Sequence, residues 1–345
     1  MTATDLPETA PPKEPSLLTS SRLRCFRTCP RLHHLRYVEG WKPRAESEAL
    51  RFGSLFHRGL EAWWTTVAHG DLDGAPLLVA LAAVNGFAID AFEQVRVNEL
   101  LRGYDLAWRA DAAQYEVVGV EVSYAAPLLN PATNLTRSRT WQLAGKIDAI
   151  VRRRADGRVL VVEHKTTSEE IASDADHYWS TLALDHQISG YVMGAEAMGH
   201  HVDEILYDVA RKSGLRPLRA TAIEARKYTK DGRLYANQRE ADETVEEYRV
   251  RVRAEIEGDL ARYFQRRSIP RTESQIRDFL YDAWQQGRAM REMELEGFAP
   301  RNPEACHRFG TCAFWQVCST GSHPTDHIND YDQLTNVNPE LTEDR

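Results

Sequence analysis

No run of 18 uninterrupted apolar residues occurs in the 345-residue chain. The longest candidate, Pro76–Val84, runs straight into Asn85, far short of the roughly 20 residues a membrane helix needs. No Gly-x-x-x-x-Gly-Lys-Ser/Thr loop is present, which excludes a P-loop ATPase or helicase motor within this sequence. The first residues carry Pro7, Pro11, Pro12 and Pro15 and acids rather than a basic-then-apolar leader, so a cytoplasmic protein without membrane contact is expected. Cysteine is scarce, five in all, and none of it forms the Cys-x2-Cys pairs usual in zinc sites. There is no internal repeat. Nor is there a surplus of positive charge: 43 Lys+Arg face 51 Asp+Glu, for a formal charge of −8. On that number alone a nucleic acid is not the obvious partner. What is present is ordinary for a soluble protein with a real core, with 42% hydrophobic and 27% charged residues. The length suits two domains, or one elaborated domain of about 250 residues or more.

The local charge reads differently from the sum. Between Ser21 and Leu60 lie Arg22, Arg24, Arg27, Arg31, Arg36, Lys42, Arg44, Arg51 and Arg58, against only Glu39, Glu46 and Glu48. Arg211–Arg233 holds eight basic residues against Glu224 and Asp231. The acidic surplus sits largely in Glu240–Glu257 and after Cys318. A net-negative protein with two basic segments can still hold a polyanion in a groove; otherwise these segments are solvated faces.

Residues 1–17 lack any apolar period and are rich in Pro and Thr, so a disordered arm is expected there. Cap-type residues at Thr19–Ser21 open short helices through Tyr37. Phe52–Val67 is an amphipathic helix, with Phe52, Leu55, Phe56, Leu60 and Trp63 on one stripe. Ala75–Arg102 and Tyr104–Tyr115 also read as helical, and Glu116–Tyr124 as a strand. Asn130–Thr140 is a polar connection. Trp141–Arg152 and Arg158–Lys165 are strands joined by a turn at Ala155–Asp156–Gly157. His186–Met198 is helical, Glu204–Ala210 a strand, and Glu240–Arg266 and Glu273–Glu296 are helices. A cysteine-bearing loop, Asn302–Cys318, precedes an acidic tail, 319–345, expected to be disordered. The order of elements predicts a mixed α/β core with helical additions at both ends.

The second strand pair carries the chemistry. Gly145-Lys146-Ile147-Asp148 is followed, fourteen residues on, by Glu163-His164-Lys165. Glu163 and Lys165 lie two apart and so project from one face of their strand. Antiparallel pairing across the turn brings Asp148 near Glu163. Two carboxylates held together at strand ends are costly unless a cation neutralises them. Hard divalent ions such as Mg²⁺ or Mn²⁺ prefer such oxygen ligands. A neighbouring lysine can then orient a water and stabilise charge at a phosphorus. The plainer alternative is a hairpin with surface acids, but Val159, Val161 and Val162 make the second strand central, and acids beside a buried strand need an explanation.

The cysteines fall into Cys25 and Cys29 near one end and Cys306, Cys312 and Cys318 near the other. A cytoplasmic setting argues against disulfides. One distant thiolate and three clustered ones can hold a 4Fe–4S cluster; zinc and unliganded buried cysteines are the alternatives.

Together these segments resemble the PD-(D/E)XK nuclease superfamily. Asp148…Glu163-His164-Lys165 looks like its core. Gly53-Ser54-Leu55-Phe56-His57-Arg58-Gly59-Leu60-Glu61 resembles the Gly-x-x-x-His-x-x-Leu-Glu helix of the RecB-type branch, and Gln187-Ile188-Ser189-Gly190-Tyr191 its Gln-x-x-x-Tyr helix. The resemblance spans about Ser20 to Cys318, and three motifs in the right order are far more specific than any one. It implies a mixed central sheet flanked by helices. It implies Asp148 and Glu163 as metal ligands, with His57 and the backbone carbonyl of His164 completing the set, and Lys165 as the catalytic lysine. Gln187 and Tyr191, four apart on one helix face, are implied to touch the metal surroundings, the DNA backbone or a base; a helix face packed on the sheet is the alternative. Glu121, on the preceding strand, is a secondary candidate for the acidic cluster.

Cys29-Pro30-Arg31, with Leu35-Arg36-Tyr37 after it, further resembles the Cys-Pro-Arg segment of the iron–sulfur nucleases, which include AddB-type subunits and CRISPR-associated exonucleases. That resemblance implies a 4Fe–4S cluster on Cys29, Cys306, Cys312 and Cys318, leaving Cys25 free. Cys312 to Cys318 matches the family spacing. Cys306 to Cys312 has five intervening residues where the family commonly has two, which leaves His307 as a substitute for Cys306. The resulting expectation is a nuclease domain over 18–318 whose 18–45 and 300–318 segments form a helical iron–sulfur subdomain. Its expected activity is metal-dependent DNA exonuclease action on single-stranded or end-bearing DNA, in recombination, repair or processing. A helicase, recombination or CRISPR protein is the implied partner. The rivals are a non-catalytic DNA-binding subunit, against which the intact Asp148, Glu163 and Lys165 count, and a CRISPR-adaptation-type factor that trims DNA within a complex.

Overall fold

The computed structural model describes residues 14–70, 73–87, 89–172, 177–308 and 310–341. Most of the arm expected to be disordered therefore lies outside the described residues. In chain order, β1 (Ser16–Leu18), α1 (Ser20–Thr28), α2 (Pro30–His33) and a π-helical turn at His34–Val38 lead to β2 (Trp41–Pro43). Helices α3 (Glu48–Ala68), α4 (Ala75–Val84) and α5 (Ala91–Ala112) follow, then strands β3 (Tyr115–Leu129), β4 (Arg137–Arg153) and β5 (Val159–Thr167). Next come α6 (His177–Thr181), α7 (His186–Ala197), β6 (Glu204–Arg211), α8 (Val245–Gly258), α9 (Leu260–Tyr263) and β7 (Phe264–Ser268). The chain continues through α10 (Glu273–Glu296), α11 (Trp315–Thr320) and β8 (Tyr331–Gln333).

The chain divides into two compact units. A central unit comprises 45–122 and 146–271; a terminal unit takes the described residues of 1–44, 123–145 and 272–345. β3 and β4 each pass from one unit into the other. Six strands form a mixed sheet, β1-β4-β5-β6-β7, with β3 also paired to β4.

In the central unit β4 and β5 are antiparallel, with Ala149 opposite Val162 and Val151 opposite Leu160. β5 and β6 are parallel, which requires a crossover, and α6 and α7 supply it. β7 closes the edge antiparallel to β6. Leu160, Val161 and Val162 are all buried, as a strand covered on both faces must be. The α3 stripe behaves as its period predicts: Phe52, Leu55, Phe56, Leu60 and Trp63 are buried, joined by Trp64 and Val67. Ser47 caps the helix by accepting from the Leu50 amide.

Several boundaries differ from the sequence reading: β3 runs on to Leu129 and β4 begins at Arg137, inside the expected polar connection, and three further differences bear on packing. The helix break falls at Gly86, φ +95°, not at Gly103. Gly103 lies inside α5, where a Cβ would come within 2.5 Å of Ile256 and 2.8 Å of Phe264, so its missing side chain serves helix packing. Glu240–Arg266 is not one helix: Asp259 leaves the helical conformation, caps α9 through the Arg262 amide, and the chain turns into β7. The arginines Arg266 and Arg267 hide the strand pattern. Ser16 and Leu17, expected in the arm, belong to β1 and pair with Trp141 and Gln142.

The terminal unit has a small core of its own: Leu35, Trp41, Phe314, Val317 and Tyr331. β2 pairs with β8, Trp41 opposite Gln333, and Tyr331 stacks on Phe314 at 5.1 Å while donating to the Ala313 carbonyl. The segment expected to be a disordered tail therefore contributes a strand and a core aromatic. No helix among the described residues is long and apolar enough to cross a membrane.

The close approach at Gly103 sets a test. Alanine at an ordinary helical site gains about 1 kcal/mol over glycine. Here Ile256 and Phe264 are buried and cannot swing away, so overpacking of about 1–3 kcal/mol should win. Gly103→Ala is expected to lower the urea midpoint at unchanged slope; a higher midpoint would contradict the packing described.

Candidate active site

Five elements of the central unit, α3, β3, β4, β5 and α7, bring the sequence-predicted residues together. Asp148 and Glu163 stand one step beyond the last paired residues of β4 and β5. The Asp148 carboxylate accepts from the backbone amide of His164 at 2.7 Å, which ties the two strands just past their last paired residues. From α3, His57 reaches in with Nδ1 3.7 Å from Asp148 Oδ2. From β3, Glu121 joins them: one donor atom on each of His57, Glu121 and Asp148 lies within 4.8 Å of the other two. Glu121 has φ +52°, the left-handed region that a residue with a side chain rarely adopts. Such strain costs of order 1–3 kcal/mol and tends to gather at functional sites. Lys146, next along the Gly-Lys-Ile-Asp segment, holds Glu121 at 2.5 Å.

Glu163 is not within that triad. Its Oε1 pairs closely with Lys165, and its buried Oε2 has no hydrogen-bond partner. Lys165 Nζ also donates to Gln187 Oε1 at 2.6 Å, and Gln187 Nε2 donates to the Tyr191 hydroxyl at 2.7 Å. The Gln-x-x-x-Tyr face thus packs on the lysine, with Tyr191 buried behind Gln187. In this geometry Gln187 touches Lys165 directly, and Tyr191 reaches it only through Gln187. Asp185, which the sequence reading did not single out, caps α7 through the Gln187 amide and accepts from Tyr207 at 3.0 Å. Its residue type just before a helix was the available signal.

The His164 ring turns to the other side of the strand, where it lies 3.3 Å from Asp208 without hydrogen-bond alignment. Any part it takes in metal binding must run through its backbone. Asp208 accepts from Tyr104 at 2.6 Å and from Arg266 at 3.0 Å. Arg266 in turn bonds Asp111 at 2.5 Å and lies 4.2 Å over the Trp108 ring. This buried network was not legible in the sequence, because its members come from α5, β6 and β7.

The electrostatics separate the two carboxylate environments. Burial pushes Asp148 up to about 6, with Glu121 adding to the rise against His164 and the backbone bond. Burial likewise pushes Glu163 up to about 7, with Asp148 adding and Lys165 opposing. Asp208 is also buried, yet Arg266 and His164 hold it far below the usual range. Burial lowers His57 to about 4, helped by His164, so its ring is neutral and its nitrogen available as a ligand. For Lys165, burial alone would lower the value, but Glu163 and Asp185 outweigh it and keep the amine charged. Three gathered donor atoms, two under-neutralised buried carboxylates and an orphaned Glu163 oxygen fit a hard divalent cation better than any organic ligand.

The five cysteines all lie in the terminal unit, half-buried, as free thiols. Cys318 is close enough to feel the charge of Cys312, Cys29 and Cys306, and Cys312 that of Cys306 and Cys29. The loop around Asn302 knits them: its amide donates to Cys29 Sγ at 3.4 Å and its carbonyl faces Cys306 Sγ at 3.8 Å. Burial pushes Cys25 up to about 12, with Cys29 and Cys312 adding to the rise, so the fifth thiol lies in the same neighbourhood.

The family model of the PD-(D/E)XK nuclease superfamily matches residues 17–319. The chain belongs to that superfamily. Its members are typically metal-dependent nucleases, usually using Mg²⁺ or Mn²⁺. No curated protein matches the sequence significantly. Among solved structures, the chain is similar to that of a protein from Eubacterium rectale described as a "Putative exonuclease", with a TM-score of 0.41 and 10% identity over 84% of this chain and 85% of that one.

The raised carboxylates have a signed consequence. In the folded, metal-free protein Asp148 and Glu163 bind protons more tightly than in the unfolded chain. Their contribution to stability is present below about pH 4, the ordinary carboxylate range, and is lost as pH rises through about 6 and about 7. A divalent cation needs them ionised, so its stabilisation runs the other way. The melting-temperature gain on adding Mn²⁺ is expected to grow from pH 5 to pH 8, and Asp148→Asn in EDTA at pH 8 to melt above wild type. A pH-independent gain would contradict the site.

Proposed function

We propose that the protein is a metal-dependent DNA exonuclease, acting on single-stranded or end-bearing DNA in recombination, repair or DNA processing. The observation that carries the hydrolytic reading is the pairing of Lys165 with Glu163 beside the His57–Glu121–Asp148 cluster. The exonuclease mode rests on the resemblance to stand-alone RecB-type enzymes. The intact set of acids and lysine favours catalysis over a purely binding subunit.

Asp148, Glu121 and His57 offer oxygen and nitrogen donors to a cation, with Glu163 able to join through the oxygen that lacks a partner. When bound, Mg²⁺ or Mn²⁺ supplies Lewis-acid charge at the scissile phosphate and eases deprotonation of the attacking water. Lys165, kept protonated by Glu163 and Asp185, places a fixed positive charge where a water or a phosphoryl oxygen can meet it. Gln187, backed by Tyr191, limits the lysine to one direction. The Asp208–Arg266–Tyr104 network ties β6 and β7 to α5, beside the strand that carries Glu163 and Lys165.

Asp148→Asn, Glu163→Gln and Lys165→Ala are each expected to reduce cleavage of end-labelled DNA in Mn²⁺ by a thousandfold or more, in the range lost when charge stabilisation is removed, about 10²–10³ per interaction or greater. DNA binding should persist, since it rests on basic residues elsewhere. His57→Ala should lower turnover more than affinity. Wild-type cleavage by any of the first three would remove the assignment.

We further propose a structural 4Fe–4S cluster on Cys29, Cys306, Cys312 and Cys318, supported by the gathering of the cysteines within one unit, with the choice of these four over Cys25 resting on the resemblance to the iron–sulfur nucleases. Cys29 and Cys306 are 277 positions apart (306 less 29), so joining them restrains the unfolded chain strongly. Anaerobically purified protein should be brown with about four irons per chain. Cys29→Ala and Cys318→Ala should lose colour and thermal stability together, while Cys25→Ala keeps both. Stoichiometric zinc without iron would overturn the cluster.

A further inference from the structure

Residues 213–244, between β6 and α8, form a built arm rather than a loose loop. The chain doubles back on itself in steps. At the base, Leu218 and Glu243 exchange bonds: the Glu243 amide donates to the Leu218 carbonyl at 2.8 Å, and the Leu218 amide donates to the Glu243 carboxylate at 2.8 Å. Arg251 of α8 clamps that buried carboxylate through two nitrogens at 2.8 and 2.7 Å. Higher up, the Thr221 amide donates to the Arg239 carbonyl at 2.9 Å, and the Lys227 amide to Gln238 Oε1 at 2.6 Å. The tip is a tight hairpin: Tyr228 bridges Leu234, the Thr229 amide donates to the Arg233 carbonyl at 2.7 Å, and Gly232 supplies the left-handed turn at φ +75°.

What the tip presents is chemically specific. Lys227-Tyr228-Thr229-Lys230-Asp231-Gly232-Arg233-Leu234-Tyr235 carries three cations against one acid. Arg233 meets Asp231 at 3.4 Å, with both side chains exposed, a pairing worth little. Lys227 and Lys230 are exposed and make no ion pair with the described residues. Tyr228 and Tyr235 are 52% and 46% exposed on this rigid support. Aromatic faces beside uncommitted cations are how proteins hold single-stranded nucleic acid: bases stack on the rings while phosphates meet the ammonium groups. Paired duplex bases cannot offer their faces in this way.

The arm also leaves from the right edge of the sheet. β6 runs parallel to β5, with Lys165 opposite Val209 and Thr167 opposite Arg211. The arm departs just after Arg211, from the carboxyl ends of the two parallel strands, the edge where open α/β sheets bind ligands. Lys212 lies 5.6 Å over the Phe52 ring at the start of α3, the helix that carries His57.

We propose that this arm is a strand-gripping element that stacks unpaired bases of single-stranded DNA on Tyr228 and Tyr235 and thereby selects a splayed or single-stranded end for the site. The proposal rests on the nuclease reading for its purpose, but its test does not use cleavage. Binding of labelled oligo-dT, of an abasic oligomer with the same phosphates, and of a blunt duplex would be measured in EDTA. The Tyr228→Ala/Tyr235→Ala variant is expected to lose about tenfold or more in affinity for oligo-dT, from stacking worth about 1–3 kcal/mol per base. Its affinity for the abasic oligomer and the duplex should hold. The Tyr228→Phe/Tyr235→Phe variant should restore oligo-dT binding. Lys227→Ala/Lys230→Ala should weaken oligo-dT and the abasic oligomer together and flatten the salt dependence by about 1.4 in log–log slope, at about 0.7 per lost phosphate contact. Unchanged oligo-dT binding in the tyrosine variant, or equal loss on the abasic oligomer, would overturn the proposal. If wild-type protein cleaves DNA while the tyrosines prove irrelevant, the arm proposal fails alone. If tyrosine-dependent binding appears without cleavage, the nuclease reading fails alone.

Discussion

Buried negative charge where the pairing of β4 with β5 stops is the constraint on which the site depends. Asp148 and Glu163 are taken out of water beside one another, with Glu121 added from β3; Lys165 is set against Glu163 and Lys146 against Glu121. Leaving such charge uncompensated in the interior is far costlier than leaving it at the surface. The chain shows the alternative on the opposite face of the same sheet region. Asp208, no less buried, receives Arg266, Tyr104 and the nearby His164, and is held firmly ionised. One carboxylate is fully provided for and acts as a strut. The others are left under-provided, and burial holds Asp148 and Glu163 toward their protonated forms.

The rest of the central unit serves that contrast. The α3 stripe buries Phe52 through Val67 and so fixes the rotation of the helix that points His57 inward. Glu121 accepts a left-handed backbone in the middle of a strand, a cost that ordinary strand pairing does not require. Gln187 and Tyr191 give Lys165 a defined direction, and Asp185 anchors the helix that holds them. In the terminal unit, a small aromatic core and the β2–β8 pair bring residues from both ends of the sequence around the cysteines.

Much of this was legible in the sequence where one residue type at one spacing can mean little else. The Val-rich run before Glu163 announced a central strand, and the apolar stripe from Phe52 to Trp63 announced its helix within a few residues of the observed ends. The juxtaposition of Asp148, Glu163 and Lys165 was legible because a two-residue alternation and a short turn define their geometry locally. Glu121 was harder, since its place depends on a backbone conformation that no sequence period encodes. Gly103 misled because a glycine that ends a helix and one that admits a neighbouring helix look alike along the chain. β7 was masked by its arginines, one of which, Arg266, is the buried partner of Asp208. Such partners belong to tertiary packing, and the sequence offers no local trace of them.

The most direct test of the account is electron paramagnetic resonance of the full-length protein titrated with Mn²⁺ at pH 8. A bound Mn²⁺ signal with nitrogen coupling from His57 is expected, the coupling lost in His57→Ala and the binding lost in Asp148→Asn. Only free aqueous Mn²⁺, or a bound signal indifferent to both substitutions, would show that the buried carboxylates are not a cation site.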